Sequence, residues 1–261
     1  TSGTATICGY NMQEQPVERI AHRTSPTNIG LALLANLAAT DFGYLATGGL
    51  IARCSATLDT LDRLQRHQGH WLNWYDTQSL EPLRPAYVST VDSGNLAGHL
   101  LTLRAGLLLL AANTPAPAQR LACLLHGLHD SVRLVQLAGG AGPLDATSAR
   151  LAATLQALQA LAPQSPAELW AAFQTMQAGA QTLLAAVSAQ QADAPGSATP
   201  PADALRWARA LLAQCQAALA ELQRLAPQAP VSAMAPWDAL ALDNDCQALR
   251  QLAQRAGAMA E

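Results

Sequence analysis

From Thr114 onward the chain is a series of long Ala-, Leu- and Gln-rich stretches cut apart by Pro- and Gly-rich breaks. This punctuation constrains the fold more than any other feature. The stretches run near 115–138, 144–162, 165–191, 201–226 and 234–258, and the breaks are GGAGP (139–143), APQSP (162–166), ADAPGSATPP (192–201) and APQAPVSAMAP (226–236). Apolar residues recur every three or four positions within each stretch, the period of a helix that buries one face. Proline removes a helix hydrogen bond and clashes with the preceding turn, so each break ends one helix before the next begins. The stretches look alike through composition alone, since no sequence period repeats. The expectation for 114–261 is an antiparallel helical array.

The first third is chemically more varied but also reads as helix. Residues 1–20 have no clear period, do not begin with Met, and are expected to be an irregular or truncated start. Ser25 is a good N-cap and Pro26 suits the first helical position, where its missing N–H costs nothing. Ile29, Leu33, Leu34 and Leu37 then form an apolar stripe that Gly43 stops, which predicts a helix over 26–41. Thr47 can cap a second helix near 48–67, ended by Gly69. Pro82 and Pro85 forbid regular helix in the next segment, where Leu72, Trp74 and Leu80 suit a short hairpin. Ser89, Thr90 or Asp92 can cap a third helix running to about Ala112. The chain is all-α on this reading, with 21–113 as one part and the 114–261 array as another.

Bulk composition excludes several function classes. Half of the 261 residues are apolar and 13% are charged, which excludes a disordered tail. A net charge of -3 carries no electrostatic footprint for nucleic acid. Cys8, Cys54, Cys123, Cys215 and Cys246 are odd in number and contain no CxxC pair, so reduced thiols fit better than a zinc site or a disulfide framework. The most apolar run, Leu107 to Ala112, is too short to span a bilayer and follows Arg104, so the segment itself is expected to be soluble. No signal peptide is visible at the start.

The chemistry concentrates in Gly69 to Leu101. The chain has five Trp, four Tyr and two Phe, and four of these rings (Trp71, Trp74, Tyr75 and Tyr87) fall between positions 71 and 87. His70, Asp76, Asp92, Ser93, Asn95 and His99 lie beside them. Ring faces that stack on sugar C–H groups, with carboxylates and amides to bind hydroxyls, are what a sugar site needs. A long loop whose aromatics cap the core accounts for the same residues, and both readings stand at this point. Asp92 is a helix N-cap on the plainer reading and a carboxylate at a cavity mouth, one turn from Asn95, on the other. Asp76 either fixes its loop or binds a hydroxyl, and Arg23 can pair with either carboxylate.

Other candidates are weaker. His126 and His129 share a helix face, but two ligands make no metal site and no Asp, Glu or Cys pattern completes one. His67 and His70 flank Gly69 as polar contacts. Gly48-Gly49 and the Gly139 to Gly142 cluster lack the strand-before, helix-after context of a phosphate loop and read as turns. Ser25, Ser89 and Ser93 sit in no G-x-S-x-G elbow. No metal and no cofactor is implied. A small complete hydrolase using Asp76 and Asp92 is disfavoured, because no well-placed acid partner accompanies them.

At RTSPTNIGLALL (23–34), DFGYL (41–45) and GHWLNWYDTQSLEPLRPAYVSTVDSGNLAGHL (69–100), the chain resembles the cyclic β-1,2-glucan synthases, large bacterial inner-membrane enzymes. The resemblance covers about Asn11 to Leu103, while the opening TSGTATICGY departs from the family pattern and 107–261 is similar only in kind to a variable helical insertion. It implies the first helices of an (α/α)6-type barrel, in the glucoamylase-like module that cleaves linear β-1,2-glucan and rejoins its ends as a ring. Retaining transfer of this kind uses two carboxylates. The resemblance implies substrate contact, rather than catalysis, around Trp74, Tyr75, Asp76 and Asp92; Arg23, His70 and Asn95, read from the residues themselves, are expected to join them in binding, with Asp92 the one candidate if any of them is catalytic. The implied partners are β-1,2-glucan and the remaining modules of the same polypeptide, on the cytoplasmic side of the inner membrane. A non-catalytic helical glucan-binding or scaffold module is the alternative.

Overall fold

A computed structural model of the chain describes residues 21–112, 117–139, 143–161, 165–193, 201–226, 237, 240 and 242–261. The expectation for 1–20 lies outside these residues. The described chain is helical, with α1 (Pro26–Asp41), α2 (Thr47–Arg63), α3 (Thr90–Ala112), α4 (Pro117–Gly139), α5 (Pro143–Leu161), α6 (Pro166–Asp193), α7 (Pro201–Leu225) and α8 (Asp243–Ala260). Four short strands, β1 (Arg23–Thr24), β2 (Arg66–His67), β3 (His70–Trp71) and β4 (Tyr75–Asp76), pair as β1–β4 and β2–β3, both antiparallel. Five helices begin on proline, the residue whose fixed φ suits the first helical position. Serine caps recur as well: Asn28 N–H donates to Ser25 Oγ (3.3 Å), Asp92 N–H to Ser89 Oγ (3.2 Å) and Glu168 N–H to Ser165 Oγ (3.2 Å).

The chain forms two compact units. The first holds residues up to Ala38, Gly48–Asn113 and Asn244–Glu261, and the second holds Ala39–Thr47 and Thr114–Asp243. α8 thus belongs to the first unit and the α1–α2 turn to the second.

In the first unit, three contacts fix the relation of α1 to α3. Thr27 meets Asp92, Gly30 lies under the His99 side chain, and Leu37 lies over Gly106. Both positions rise together along the two helices, so α1 and α3 run parallel. Against α8 the order reverses: Arg104 packs on Gly257, while Arg250 Nη2 donates to the Ala111 carbonyl (3.5 Å), so α3 and α8 are antiparallel. Arg255 on α8 bridges Asp59 (2.7 Å) and Asp62 (3.2 Å) on α2. Leu96, Leu100, Leu103, Leu107 and Ala111 form the buried stripe of α3.

In the second unit, α4, α5, α6 and α7 pack as a ring in which α4 meets α5, α5 meets α6, α6 meets α7 and α7 closes on α4. The short links at 140–142 and 162–165 require packed neighbours to reverse direction, which makes an antiparallel bundle. Phe173, Met176, Leu183, Leu155, Leu211 and Leu222 are fully buried in its core. Each such side chain contributes about 1.5–3 kcal/mol by leaving water. Ser131 Oγ donates to Gln214 Oε1 (2.6 Å) between α4 and α7.

The C-terminus of α1 is built into this second unit by a glycine. Gly43 (φ +76°) donates its N–H to Thr40 O (3.1 Å), and Tyr44 N–H donates to Ala39 O (2.8 Å), the two bonds of a Schellman cap. A Cβ on Gly43 would overlap the Cys123 carbonyl of α4, and one on Gly127 would overlap the Gly43 carbonyl. Two glycines therefore let a turn and a helix backbone meet directly.

Several expectations are corrected. The second helix ends at Arg63 rather than 67, because the chain reverses through Gln68 (φ +49°) and Gly69 (φ +86°) to pair β2 with β3. That pairing is the hairpin, not one built from Leu72, Trp74 and Leu80. Gly48 and Gly49 lie in the first turn of α2 instead of a connecting turn, and α8 starts at Asp243 rather than near 234. By length and composition α3 is long and apolar enough to cross a membrane, a property missed by counting only the uninterrupted run at its end. The four described cysteines are free thiols, and burial pushes Cys54 and Cys215 up to about 12.

Gly43→Ala should cost about 2–5 kcal/mol, since left-handed strain adds to overlap with an immobile backbone. Gly69 has a similar φ but open space around it, so Gly69→Ala should cost about 1–2 kcal/mol. Urea unfolding followed by circular dichroism separates the two, and equal losses would contradict the packing role of Gly43.

Candidate functional site

Because α1 and α3 are parallel, their capped N-termini lie at one end of the first unit. Thr27, in the first turn of α1, donates its hydroxyl to Asp92 Oδ1 (2.6 Å), and Asn95 Nδ2 donates to Thr27 Oγ1 (3.2 Å). Ser89 is the cap of α3, so Asp92 is free of that task. Asp92 lies in the first turn, where the helix dipole favours a carboxylate. Asp92 is partly buried and Asn95 exposed.

The loop before α3 is held by side chains acting as backbone. Tyr75 is fully buried; its hydroxyl donates to Gln65 O (2.7 Å) and accepts from Leu72 N–H (2.6 Å). Trp71 is buried too, donating Nε1–H to Leu61 O (3.2 Å) beneath the Arg66 guanidinium, which lies 4.1 Å from the ring centre. Asn73 accepts from Tyr87 N–H (3.1 Å) and donates to Pro85 O (3.3 Å), which leaves the Tyr87 ring exposed. These residues are the loop's framework.

Trp74, Arg23 and Asp76 face outward from the same framework. β1 places Arg23 opposite Asp76 and Thr24 opposite Tyr75. The Arg23 guanidinium lies 5.4 Å from the Trp74 ring centre, a cation–π contact in place of the carboxylate pair expected from sequence. Asp76 Oδ1 accepts from Gln78 N–H and Ser79 N–H, both 2.8 Å. These backbone donors, Ser79 first, hold its carboxyl below the usual aspartate range, and His22 adds to the effect.

The seven residues singled out by sequence thus divide. Arg23, Trp74 and Asp76 group on the β1–β4 pair, and Asp92 and Asn95 join through Thr27 immediately beyond it, at the start of α1. Tyr75 faces the core. His70 is exposed on β3 and lines a separate hollow of about 650 Å³ with Arg66, Trp71, Thr90, Ser93 and Met259. Thr27 and Asn73 escaped the sequence reading. A threonine two residues after an N-cap carries no distinguishing signal, and Asn73 acts through contacts made only once the loop has folded. Among the described residues no group of three or more His, Cys, Asp or Glu could hold a metal ion. His126 is exposed on α4, and His129 lies 3.7 Å from Asp130.

No protein-family profile matches the chain. Over 93 residues, 36% of this chain, it is 41% identical to the cyclic β-(1,2)-glucan synthase NdvB of Rhizobium meliloti (strain 1021). The chain spans about 3% of that protein's length.

The Asp76 turn makes a pH prediction. A folded-state pKa below the unfolded one means its stabilisation is complete above the ordinary aspartate value, near pH 3.9, and is lost as pH falls through the lower folded value. Asp76→Ala should flatten the acid dependence of loop unfolding between about pH 5 and 2, read by tryptophan fluorescence. An unchanged acid titration would contradict the role given to the carboxylate.

Proposed function

We propose that this chain contributes substrate contacts to the handling of β-1,2-glucan, as part of the module of a cyclic β-1,2-glucan synthase that closes linear glucan into rings by transglycosylation. The observation that carries this reading is the 41% identity over 93 residues to NdvB. The geometry at the paired helix N-termini supports it. A half-buried Trp74 under a guanidinium offers a ring for a sugar C–H face, and Asp76, Asp92 and Asn95 offer acceptors and donors for hydroxyls. His70 contributes from its own hollow, and Tyr75 supports the loop without touching sugar. The parallel approach of α1 and α3, with α2 running back between them in sequence, agrees with the first turns of a two-layered α/α barrel. In that protein the segment would act on the cytoplasmic side of the inner membrane, alongside the remaining modules of the polypeptide.

Retaining transfer needs one carboxylate as nucleophile and another as acid/base across the scissile bond. Here Asp92 is engaged by Thr27 and Asp76 by its own turn, so both act in binding. The same engagement favours, as a second reading, a helical module that binds glucan without chemistry.

Titrating linear β-1,2-glucan into the 261-residue chain should change tryptophan fluorescence without yielding cyclic or shortened products. Trp74→Ala should weaken binding about tenfold, the effect of losing one well-placed ring. Wild-type affinity in Trp74→Ala, or turnover by the chain, would overturn the assignment.

A further inference from the structure

The second unit exposes two aromatic rings where a rigid turn holds them. Phe42 is 65% exposed and Tyr44 40% exposed, with ring centres 6.2 Å apart and planes at 44°. Single exposed aromatics are ordinary on protein surfaces. These two differ in being fixed from several sides. Gly43 between them is locked against the α4 backbone by the Cys123 carbonyl and Gly127, and the Schellman bonds fix the turn from the α1 side. The Tyr44 hydroxyl donates to Asp130 Oδ2 (2.7 Å), a bond that raises the phenol's pKa and keeps it protonated. The turn backbone and the Tyr44 ring are thus fixed before any ligand arrives, and pre-ordering lowers the cost of binding.

Polar groups flank the pair at short range. Asp130 is exposed, and its second oxygen lies 3.7 Å from His129 Nδ1. His126, one turn before Asp130 on the same face of α4, is exposed, as is Asp41 beside Phe42. Two tilted rings bordered by carboxylates and imidazoles suit a ligand with apolar C–H faces and many hydroxyls.

We propose that Phe42 and Tyr44, with Asp130 and His126, form a second carbohydrate-binding site on this chain, one that holds a glucan strand by stacking and performs no chemistry on it. The choice of β-1,2-glucan as ligand rests on the function proposed above; the site itself rests on the turn and α4. It shares no residue with the Trp74 surface, so the two assignments can fail independently.

Affinity electrophoresis of the full chain through gels containing β-1,2-glucan polymer tests this. Trp74→Ala should keep part of the retardation and the Phe42→Ala/Trp74→Ala double variant none, while apparent affinity should drop about tenfold from wild type to Phe42→Ala. Tyr44→Phe keeps the ring but frees it from Asp130, and should fall between them. Phe42 and Tyr44 are exposed, so the melting temperature should barely move, which keeps the comparison free of misfolding. Equal retardation of wild type and Phe42→Ala would overturn the second site and leave the Trp74 reading intact. Retardation of wild type that Trp74→Ala alone abolishes would do the same; no retardation and no fluorescence response would sink both. If Phe42→Ala abolishes self-association in sedimentation without affecting glucan binding, the rings are a protein contact and the carbohydrate assignment is wrong.

Discussion

The meshing of α1 and α3 side chains is the constraint on which the candidate site depends. It is possible because Gly30 has no side chain where the His99 ring lies, and Gly106 has none where Leu37 lies. Each glycine leaves a notch that a side chain of the other helix fills, and the leucine stripe of α3 is buried alongside. Once the helices are in this register, Thr27 meets Asp92 and Asn95 with no further adjustment. The hydrogen bond to a partly buried carboxylate is worth more than a neutral one, and it ties the two N-termini together. The candidate site follows from this placement, since β1 leads directly into α1 and brings Arg23 with its partner strand to the same end.

The loop from Gln65 to Tyr87 shows how a segment with little regular structure is made firm. Its buried members satisfy backbone groups that no helix or sheet would reach: Tyr75 serves Gln65 and Leu72, Trp71 serves Leu61, and Asn73 serves Pro85 and Tyr87. A buried backbone polar group left unpaired costs about 1–3 kcal/mol, so these side chains set the loop's shape. The outward residues, Trp74, Asp76 and Tyr87, are then presented by a framework that does not need to reorganise. Two buried polar atoms, Ser93 Oγ and His99 Nδ1, have no hydrogen-bond partner among the described residues.

Helices were legible in the sequence where local signals agree. Ser25-Pro26 and Gly43 bracket α1 at the expected ends, and the Pro-started stretches after Thr114 became α4 to α7 within two residues of the expected limits. The exceptions have local causes: the left-handed pair Gln68-Gly69 cut α2 short, and Gly48-Gly49 were absorbed into its first turn. The site was legible in composition but not in geometry. Aromatic density drew notice equally to Trp74, which faces out, and Tyr75, which faces in. Trp74 immediately precedes β4, Tyr75 begins it, and the face of β4 that is buried depends on the partner strand, β1, about fifty positions earlier. Thr27 and Asn73 became visible only through long-range contacts, and the membership of α8 in the first unit has the same origin.

On the proposed function, the linked N-termini of α1 and α3, with the β1–β4 pair beside them, form one sugar-contact surface. Amide hydrogen exchange with and without linear β-1,2-glucan tests it most directly. Slowed exchange is expected in three segments together, 22–28, 73–79 and 89–95, with α5 to α7 unaffected. Protection confined to other segments, or none at saturating glucan, would contradict it.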